Sequence, residues 1–529
     1  MTAVTEGFQP PVFSERFNLA RYLLEHNLEA GRGAKVCLRT RERDLTYAEV
    51  CDLSDRAGTV FRDAGAGIED RILIVLPDGI PFVAAWFGIL KIGAVFAMAN
   101  VLLKIEELLY TFEYTRAKVA VVSPEVAEML RPRLSECRYL RRLLVAGGKA
   151  EGFASFDALL AQAPKGLAWA DTSRDDVAGW LFTSGSTGKP KAAVHLHHDF
   201  AFNVECYAKG VLGIRETDVT AGVPKLFFGY ATGTNLMFPF AVGGTTALFP
   251  DRSTAETLFE IIARFRPTIL TSVPTLINAM LQQPGARKRD LSSLRLVLSA
   301  GEALPEELYR RWVATFGVEI LDGIGSAEMF HIYISNRPGD VKPGSLGRVV
   351  PGYRARIIGP AGDELPDGEQ GTLQIAGDSA AIGYFLDHEK SKETFTGDWC
   401  TTGDQFVRDA DGYFIYAGRA DDMLKVSGIF VSPLEIENLL LQHPAVREAC
   451  VVGAADEGGL IKPKAFIALR DGQAPGPELA GELQRFVKDR VAPHKYPRWI
   501  EFLAELPRSD RGKVARRELQ QRAAGRPPG

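Results

Sequence analysis

Between Asp70 and Ser123 the chain alternates short apolar runs, rich in branched residues, with stretches of helical spacing: RILIVLP, a helical segment from Ile80, AVFAMA, IEELLYTFEYTR and AKVAVVS. An apolar run of four to six residues bounded by turn signals reads as a buried strand, and strand, helix, strand at this rhythm predicts parallel sheets with helices on their faces. The rhythm recurs in PTILTSVPTLINAMLQQ, LRLVLSAGEALPEELYRRWVATF and VEILDGIGS. After Asp340 the texture changes to short strands and Gly/Pro turns, as in PGYRARIIGPAGDELPDGEQGTLQI, which predicts an antiparallel, barrel-like unit.

At 529 residues the chain is too long for one core, so at least two domains are expected. Past Arg419 a smaller mixed unit begins. Ser432, Pro433 and Glu435 predict a helix start with a capping hydroxyl, REACVVGA and KAFIALR read as strands, and a helix is expected from Glu478 to Val491. The expectation is an α/β fold: a large N-terminal domain over 1–420, built of parallel-sheet α/β subdomains and the barrel-like β subdomain, and a small α+β C-terminal domain over 421–529.

Composition narrows the function. A net charge of -4 gives no long-range attraction for nucleic acid, so a polyanionic ligand must be held by local groups. Six scattered cysteines without a C-x-x-C pair predict a reduced, cytoplasmic protein with no structural zinc. The opening MTAVTEGFQPPVF shows no export signal. The apolar stretch from Ile80 to Leu103, interrupted by Lys91 and Gly93, reads as a buried helix and strand rather than a membrane span.

The most informative local stretch is LFTSGSTGKPKAAVHLHHDF, Leu181 to Phe200, where Thr183, Ser184, Gly185, Ser186, Thr187 and Gly188 precede Lys189 and Lys191. Glycines let successive N–H groups converge on a phosphate, small hydroxyls donate the remaining hydrogen bonds, and lysines neutralise charge. The glycine spacing and Pro190 do not fit the P-loop of nucleotide triphosphatases. A bland surface loop is the alternative.

This stretch resembles the phosphate loop of the acyl-adenylate-forming superfamily, which includes acyl-CoA and aryl-CoA ligases, peptide-synthetase adenylation domains and firefly-type luciferases. Ala192 stands where the family often has glycine. Further motifs follow in family order: SAGEAL from Ser299, DGIGSAEM from Asp322, TGD from Thr402, AGRADDMLKVSG from Ala417 and DRGKVARREL, which contains Lys513.

The resemblance implies ATP, Mg²⁺ and coenzyme A as reaction partners and a small carboxylic acid as substrate. Such an enzyme couples the carboxylate to the α-phosphate of ATP, and cations and N–H donors stabilise the charge that accumulates at phosphorus. By resemblance, Lys513 bridges carboxylate and α-phosphate, and Glu328 helps hold Mg²⁺. Asp404 clamps the ribose with Arg419 beside it, and Ala300, Gly301, Glu302, Asp322, Gly323, Ile324, Gly325 and Ser326 line the nucleotide. Taken locally, Lys513 reads rather as a solvated lysine in a basic tail and Asp404 as a turn residue, and tight turns explain the glycines equally well. The resemblance also implies that the small domain swings between two half-reactions, with Asp421 at the hinge and Lys425 and Gly428 on the side that admits the thiol.

VPKLFFGYATGTNLMFP, Val223 to Pro239, together with His331 and Ile332, resembles the acid pocket of benzoate-CoA ligases. Phe228, Tyr230 and Ile332 would form a flat apolar slot, although core packing accounts for the same residues. No aspartate occurs between Val223 and Pro239 to hold an α-ammonium, which argues against an amino acid. Gly229, where such ligases commonly carry alanine, leaves modest room for a ring substituent such as the amino group of 2-aminobenzoate. The expectation is an aryl carboxylate:CoA ligase, monomer or homodimer, with neither nucleic-acid nor membrane partners. Loading of a separate carrier-protein phosphopantetheine is the nearest alternative, and a non-catalytic nucleotide-binding protein the one from another class.

Overall fold

The computed structural model describes residues 8–184, 189–419, 423–426, 429–456, 460–491, 495–508 and 514–525. The first sheet joins, in spatial order, Ala154–Ser155, Arg142–Val145, Val119–Val122, Arg71–Val75, Val95–Met98, Val177–Ser184 and Pro190–Leu196. Its neighbours are parallel until the last two strands, which form an antiparallel hairpin.

The second sheet runs Arg348–Val349, Ile332–Ser335, Ile320–Gly325, Leu296–Ser299, Ile269–Ser272, Val219–Gly222, Thr245–Ala247, Val36–Arg39 and Asp44–Thr46. It is parallel in the middle and antiparallel at both ends. The predicted alternation is therefore realised, and it gives way to antiparallel pairing at one edge of the first sheet and at both edges of the second, with the hairpins Val177–Ser184/Pro190–Leu196 and Ile320–Gly325/Ile332–Ser335 among these. Both hairpins reappear at the candidate site.

The membrane-like stretch resolves as expected into helix Ile80–Lys91 and strand Val95–Met98, with every helix residue from Phe82 to Lys91 buried. Its neighbour is helix Tyr47–Asp63, and the approach is close enough that a Cβ on Gly88 would lie 2.5 Å from the Ala57 Cβ. Only glycine fits there. At the helix end the buried Lys91 ammonium is neutralised by Asp55 and by Glu25 at 2.7 Å. Among the described residues no helix is long and apolar enough to cross a membrane.

The unit expected after Asp340 is a five-stranded antiparallel sheet of Arg354–Ile358, Gln370–Ala376, Trp399–Arg408, Phe395–Thr396 and Phe414–Arg419. Beyond it lie the ribbon Leu424–Val426 with Ile429–Val431, and a three-stranded sheet, Val446–Ala455, Ile461–Leu469 and Trp499–Phe502. Helices Pro433–Leu441 and Pro477–Lys488 bury Ile436, Leu440, Leu483 and Val487 in the same core as that sheet.

One local expectation fails. Ser432 occupies the N-cap position of helix Pro433–Leu441, yet its hydroxyl makes no capping bond and donates to the Ala417 carbonyl in strand Phe414–Arg419. The hydroxyl turns to a tertiary acceptor and takes no bond from the N2 and N3 N–H groups that a capping oxygen would accept from.

Candidate active site

The hairpin Val177–Ser184/Pro190–Leu196 pairs Thr183 with Lys191 and Ser184 with Pro190, at the two ends of the glycine- and hydroxyl-rich stretch. Gly185, Ser186, Thr187 and Gly188 themselves lie outside the described residues, as do Asp421, Gly428 and Lys513. Helix Ile105–Thr115 braces the hairpin with two tyrosines one turn apart, Tyr110 and Tyr114, whose rings stack at 5.5 Å. The Tyr110 hydroxyl donates to the Pro190 carbonyl at 2.9 Å. The Tyr114 hydroxyl accepts from the Ala192 N–H at 3.2 Å and donates to the Phe385 carbonyl at 2.5 Å. Lys189 lies 5.4 Å from the centre of the Tyr110 ring.

Lys191 extends over Tyr384, 3.6 Å from the ring centre, and the Tyr384 hydroxyl donates to Glu328 at 2.6 Å. Burial lowers the Lys191 pKa and the nearby Glu328 carboxylate partly restores it. Tyr384 escaped the sequence reading: nothing local marks a loop tyrosine that meets a glutamate 56 positions away.

Glu328 sits in the turn between strands Ile320–Gly325 and Ile332–Ser335, the hairpin of the second sheet. The two hairpins are joined by His195, which is buried in the first one. Its Nε2 donates to the Ala327 carbonyl of the second at 2.6 Å, and its Nδ1 meets Asp199 Oδ2 at 3.0 Å. Strand Pro190–Leu196 and the Glu328 turn are thus held beside each other.

Asp404 and Arg419 are directly opposite across an antiparallel pair, with Arg419 Nε 3.8 Å from Asp404 Oδ1 and the Tyr416 hydroxyl 3.5 Å away. Burial raises the Asp404 pKa, with a smaller contribution from Glu328, while Arg419 and Tyr416 oppose it. Ala300 and Gly301 follow strand Leu296–Ser299, and Gly301 is exposed with φ +83°. The Glu302 carboxylate is engaged elsewhere, accepting from the Thr275 N–H at 3.0 Å and hydroxyl at 2.8 Å at the start of helix Pro274–Gln282.

Asp322 lies in strand Ile320–Gly325 opposite Ser299. Burial raises its pKa to about 8, against the Ser299 hydroxyl and the N–H groups of Leu304 and Gly323. Gly323, Ile324 and Gly325 complete that strand, and Ser326 opens the turn. Gly325 is required sterically, since a Cβ there would lie 2.5 Å from the His331 carbonyl carbon.

His331, expected in the acid slot, lies in an aromatic cluster. This ring is buried with its centre 5.2 Å from Tyr230, 4.8 Å from Phe238 and 5.7 Å from Tyr207. Gly233 makes the packing possible, because a Cβ there would lie 2.4 Å from His331 Cδ2. His331 Nε2 donates to the Tyr230 carbonyl at 3.0 Å, and burial depresses its pKa to about 3. The ring is therefore neutral, and Nδ1 is an acceptor. Among the described residues His331 Nδ1 and the Tyr230 hydroxyl are buried without hydrogen-bond partners, a state that costs free energy unless a ligand completes it.

Phe228 precedes helix Gly229–Thr232 with its ring 4.3 Å from that of Phe227, and Ile332 is buried at the start of its strand. A methyl on Gly229 would lie 3.2 Å from Leu181 Cδ1 and 3.5 Å from the Phe330 carbonyl oxygen, so the space this glycine frees is bounded by the phosphate hairpin itself.

Comparison with known proteins agrees with this geometry. The family model for AMP-binding enzymes matches residues 24–385, and that for the AMP-binding enzyme C-terminal domain matches 435–513. A benzoate–CoA ligase of Thauera aromatica is 46% identical over 515 residues, 97% of each chain. The crystal structure of the anthranilate CoA ligase AuaEII with anthranoyl-AMP superposes with a TM-score of 0.92 at 40% identity, covering 97% of this chain and 98% of that one. A benzoate CoA ligase from Burkholderia xenovorans LB400 gives 0.88 at 41% identity, covering 95% and 100%. Family models that match most of the chain and a full-length likeness to AMP-forming aryl-CoA ligases lead to one conclusion: the chain belongs to the AMP-binding enzymes of the acyl-adenylate-forming superfamily.

Proposed function

We propose that the protein is an aryl carboxylate:CoA ligase that converts benzoate or a small substituted benzoate to its aryl-AMP and then to the aryl-CoA thioester, releasing pyrophosphate and AMP. The observation that carries this reading is the turn 326–332. It presents Glu328 to the phosphate hairpin and, three residues later, His331 to the aromatic slot, so nucleotide and ring sites share one short segment. Full-length similarity to a benzoate–CoA ligase and to a structure holding anthranoyl-AMP supports it.

In this reading the phosphate loop and Lys191 take the polyphosphate, Asp404 and Arg419 the ribose, and the slot orients the carboxylate towards the α-phosphate. Lys513 supplies the cation between them. Among the described residues no group of three or more His, Cys, Asp or Glu forms a metal cage. A single carboxylate, Glu328, fits Mg²⁺ held mainly by the nucleotide's own phosphates, and such an ion neutralises phosphate charge. Asp421 is the hinge of the small domain, and Lys425 and Gly428 line the thiol's approach. The absence of disulfides among the six cysteines accords with a cytoplasmic enzyme.

The unpaired acceptor at His331 Nδ1 favours a ring carrying a hydrogen-bond donor. AMP release measured across benzoate, 2-aminobenzoate, hydroxybenzoates, 2-methylbenzoate and phenylacetate tests this: amino- or hydroxybenzoates are expected to outperform 2-methylbenzoate by about 1–3 kcal/mol in kcat/KM. Faster turnover of phenylacetate or a fatty acid than of every benzoate would refute the slot. Replacing Lys513 with alanine is expected to lower AMP formation about 10²- to 10³-fold.

A further inference from the structure

The wall of the acid slot begins in an irregular segment, Val223 to Phe228, that is tied down at almost every residue. The Val223 N–H donates to Thr271 at 2.8 Å and its carbonyl accepts from Ser253 at 2.8 Å. The Leu226 carbonyl accepts from the Thr232 hydroxyl at 2.6 Å, and the Phe228 N–H closes on the Lys225 carbonyl at 2.9 Å. Those ties all lie within the second sheet's lobe. The Leu226 N–H instead reaches Asp78 Oδ1 at 2.8 Å, and Asp78 stands just beyond strand Arg71–Val75 of the first sheet.

Asp78 is buried. Lys225 supplies the charge that faces it. The Lys225 ammonium donates to the Phe249 carbonyl at 2.8 Å and lies 3.8 Å from the Phe249 ring centre. Asp251 is the other acid that acts on Lys225, and it is itself held by Arg41 at 3.1 Å. An acid buried at a junction between lobes, with one backbone N–H as its hydrogen-bond donor and the Lys225 charge acting on it without an ion pair, is a costly element to retain for packing alone.

We infer that Asp78, with Lys225, is a positioning residue for the acid substrate: it clasps the segment that leads into Phe228 and Tyr230 across the two lobes and so sets the width of the ring slot. The inference rests on the slot reading above. Protonating Asp78 removes its attraction for Lys225 and weakens its acceptance from Leu226, and the wall loosens. Burial raises the Asp78 pKa to about 6, with Lys225 and the Leu226 N–H pulling it down. The charge-assisted form of the clasp therefore predominates above that value and the weaker, neutral form below it.

The test compares Asp78→Asn and Lys225→Met with the wild type, using whichever carboxylate the wild type activates fastest, so that a mistaken slot assignment shows in the wild-type panel and not in this comparison. Asp78→Asn keeps the size and an acceptor oxygen but stays neutral. It is expected to raise KM for the acid about tenfold, the loss typical of a charge-assisted hydrogen bond, with KM for ATP unchanged. Its kcat/KM for the acid should be flat between pH 5 and 7, where the wild type falls off on the acid side. Lys225→Met should move that fall-off to higher pH, because the cation that favours ionised Asp78 is gone. Hydrogen exchange of amides 224–232 should quicken in both variants. Equal rises in the two KM values, an unaltered acid limb in Asp78→Asn, or unchanged exchange in 224–232 would each overturn the clasp.

Discussion

Asp322 keeps its proton into the neutral range because its carboxyl is sealed beneath the nucleotide strands, and this has a measurable sign. In the unfolded chain it ionises near 3.8, whereas in the folded protein it does so at about 8. The folded state therefore binds more protons between those values, and stability contributed by this residue declines as pH rises from about 4 to 8. Asp322→Asn, which cannot titrate, is expected to match the wild type in thermal midpoint near pH 4 and to exceed it increasingly up to pH 8, with no further divergence above. A constant difference across that range would place the effect in packing. At this scale the sequence was legible where several residues act as a contiguous motif, as in the Lys189 and Lys191 pair or the run from Asp322 to Glu328. It was silent on Tyr384, His195, Asp78 and Gly233, whose partners are remote in the chain and whose significance is a distance rather than a pattern.

Among the elements, helix Ile105–Thr115 shows how a segment outside every motif governs one. Its apolar periodicity predicted the helix, but the role of its tyrosines emerges only when the hairpin and the Phe385 segment are laid against it. Tyr114→Phe leaves the Ala192 N–H and the Phe385 carbonyl without their shared partner, so a loss of about 1–3 kcal/mol is expected in denaturant unfolding. KM for ATP should rise and KM for the aromatic acid stay put, because the hairpin rather than the slot is released. The same contrast between local and tertiary signals explains Ser432. Its helix start was readable from Pro433 and Glu435, and the misreading concerned only where the hydroxyl points, which the Ala417 carbonyl decides.

For the molecule as a whole, the alternation of strands and helices carried the fold class, because periodicity is local and parallel sheets admit few topologies. It did not reveal that both sheets end in antiparallel hairpins, since those edges are set by which strand lies next to which. If Asp421 is the pivot of the C-terminal unit, fixing its φ and removing its N–H should separate the two half-reactions. Asp421→Pro is expected to leave pyrophosphate exchange near the wild-type rate while CoA-dependent thioester formation drops by about tenfold or more; parallel losses in both assays would place the pivot elsewhere.

The single imidazole of His195 that spans the two hairpins has a wider consequence. With Nε2 committed to one hairpin and Nδ1 to the acid behind the other, the spacing between the two hairpins is a fixed gauge. Selection for a new acid then has little purchase on the phosphate end. In the proposed reading it falls on the opposite wall, where positions such as 228 to 230 can be exchanged while Lys225 and Gly233 stay fixed by their packing.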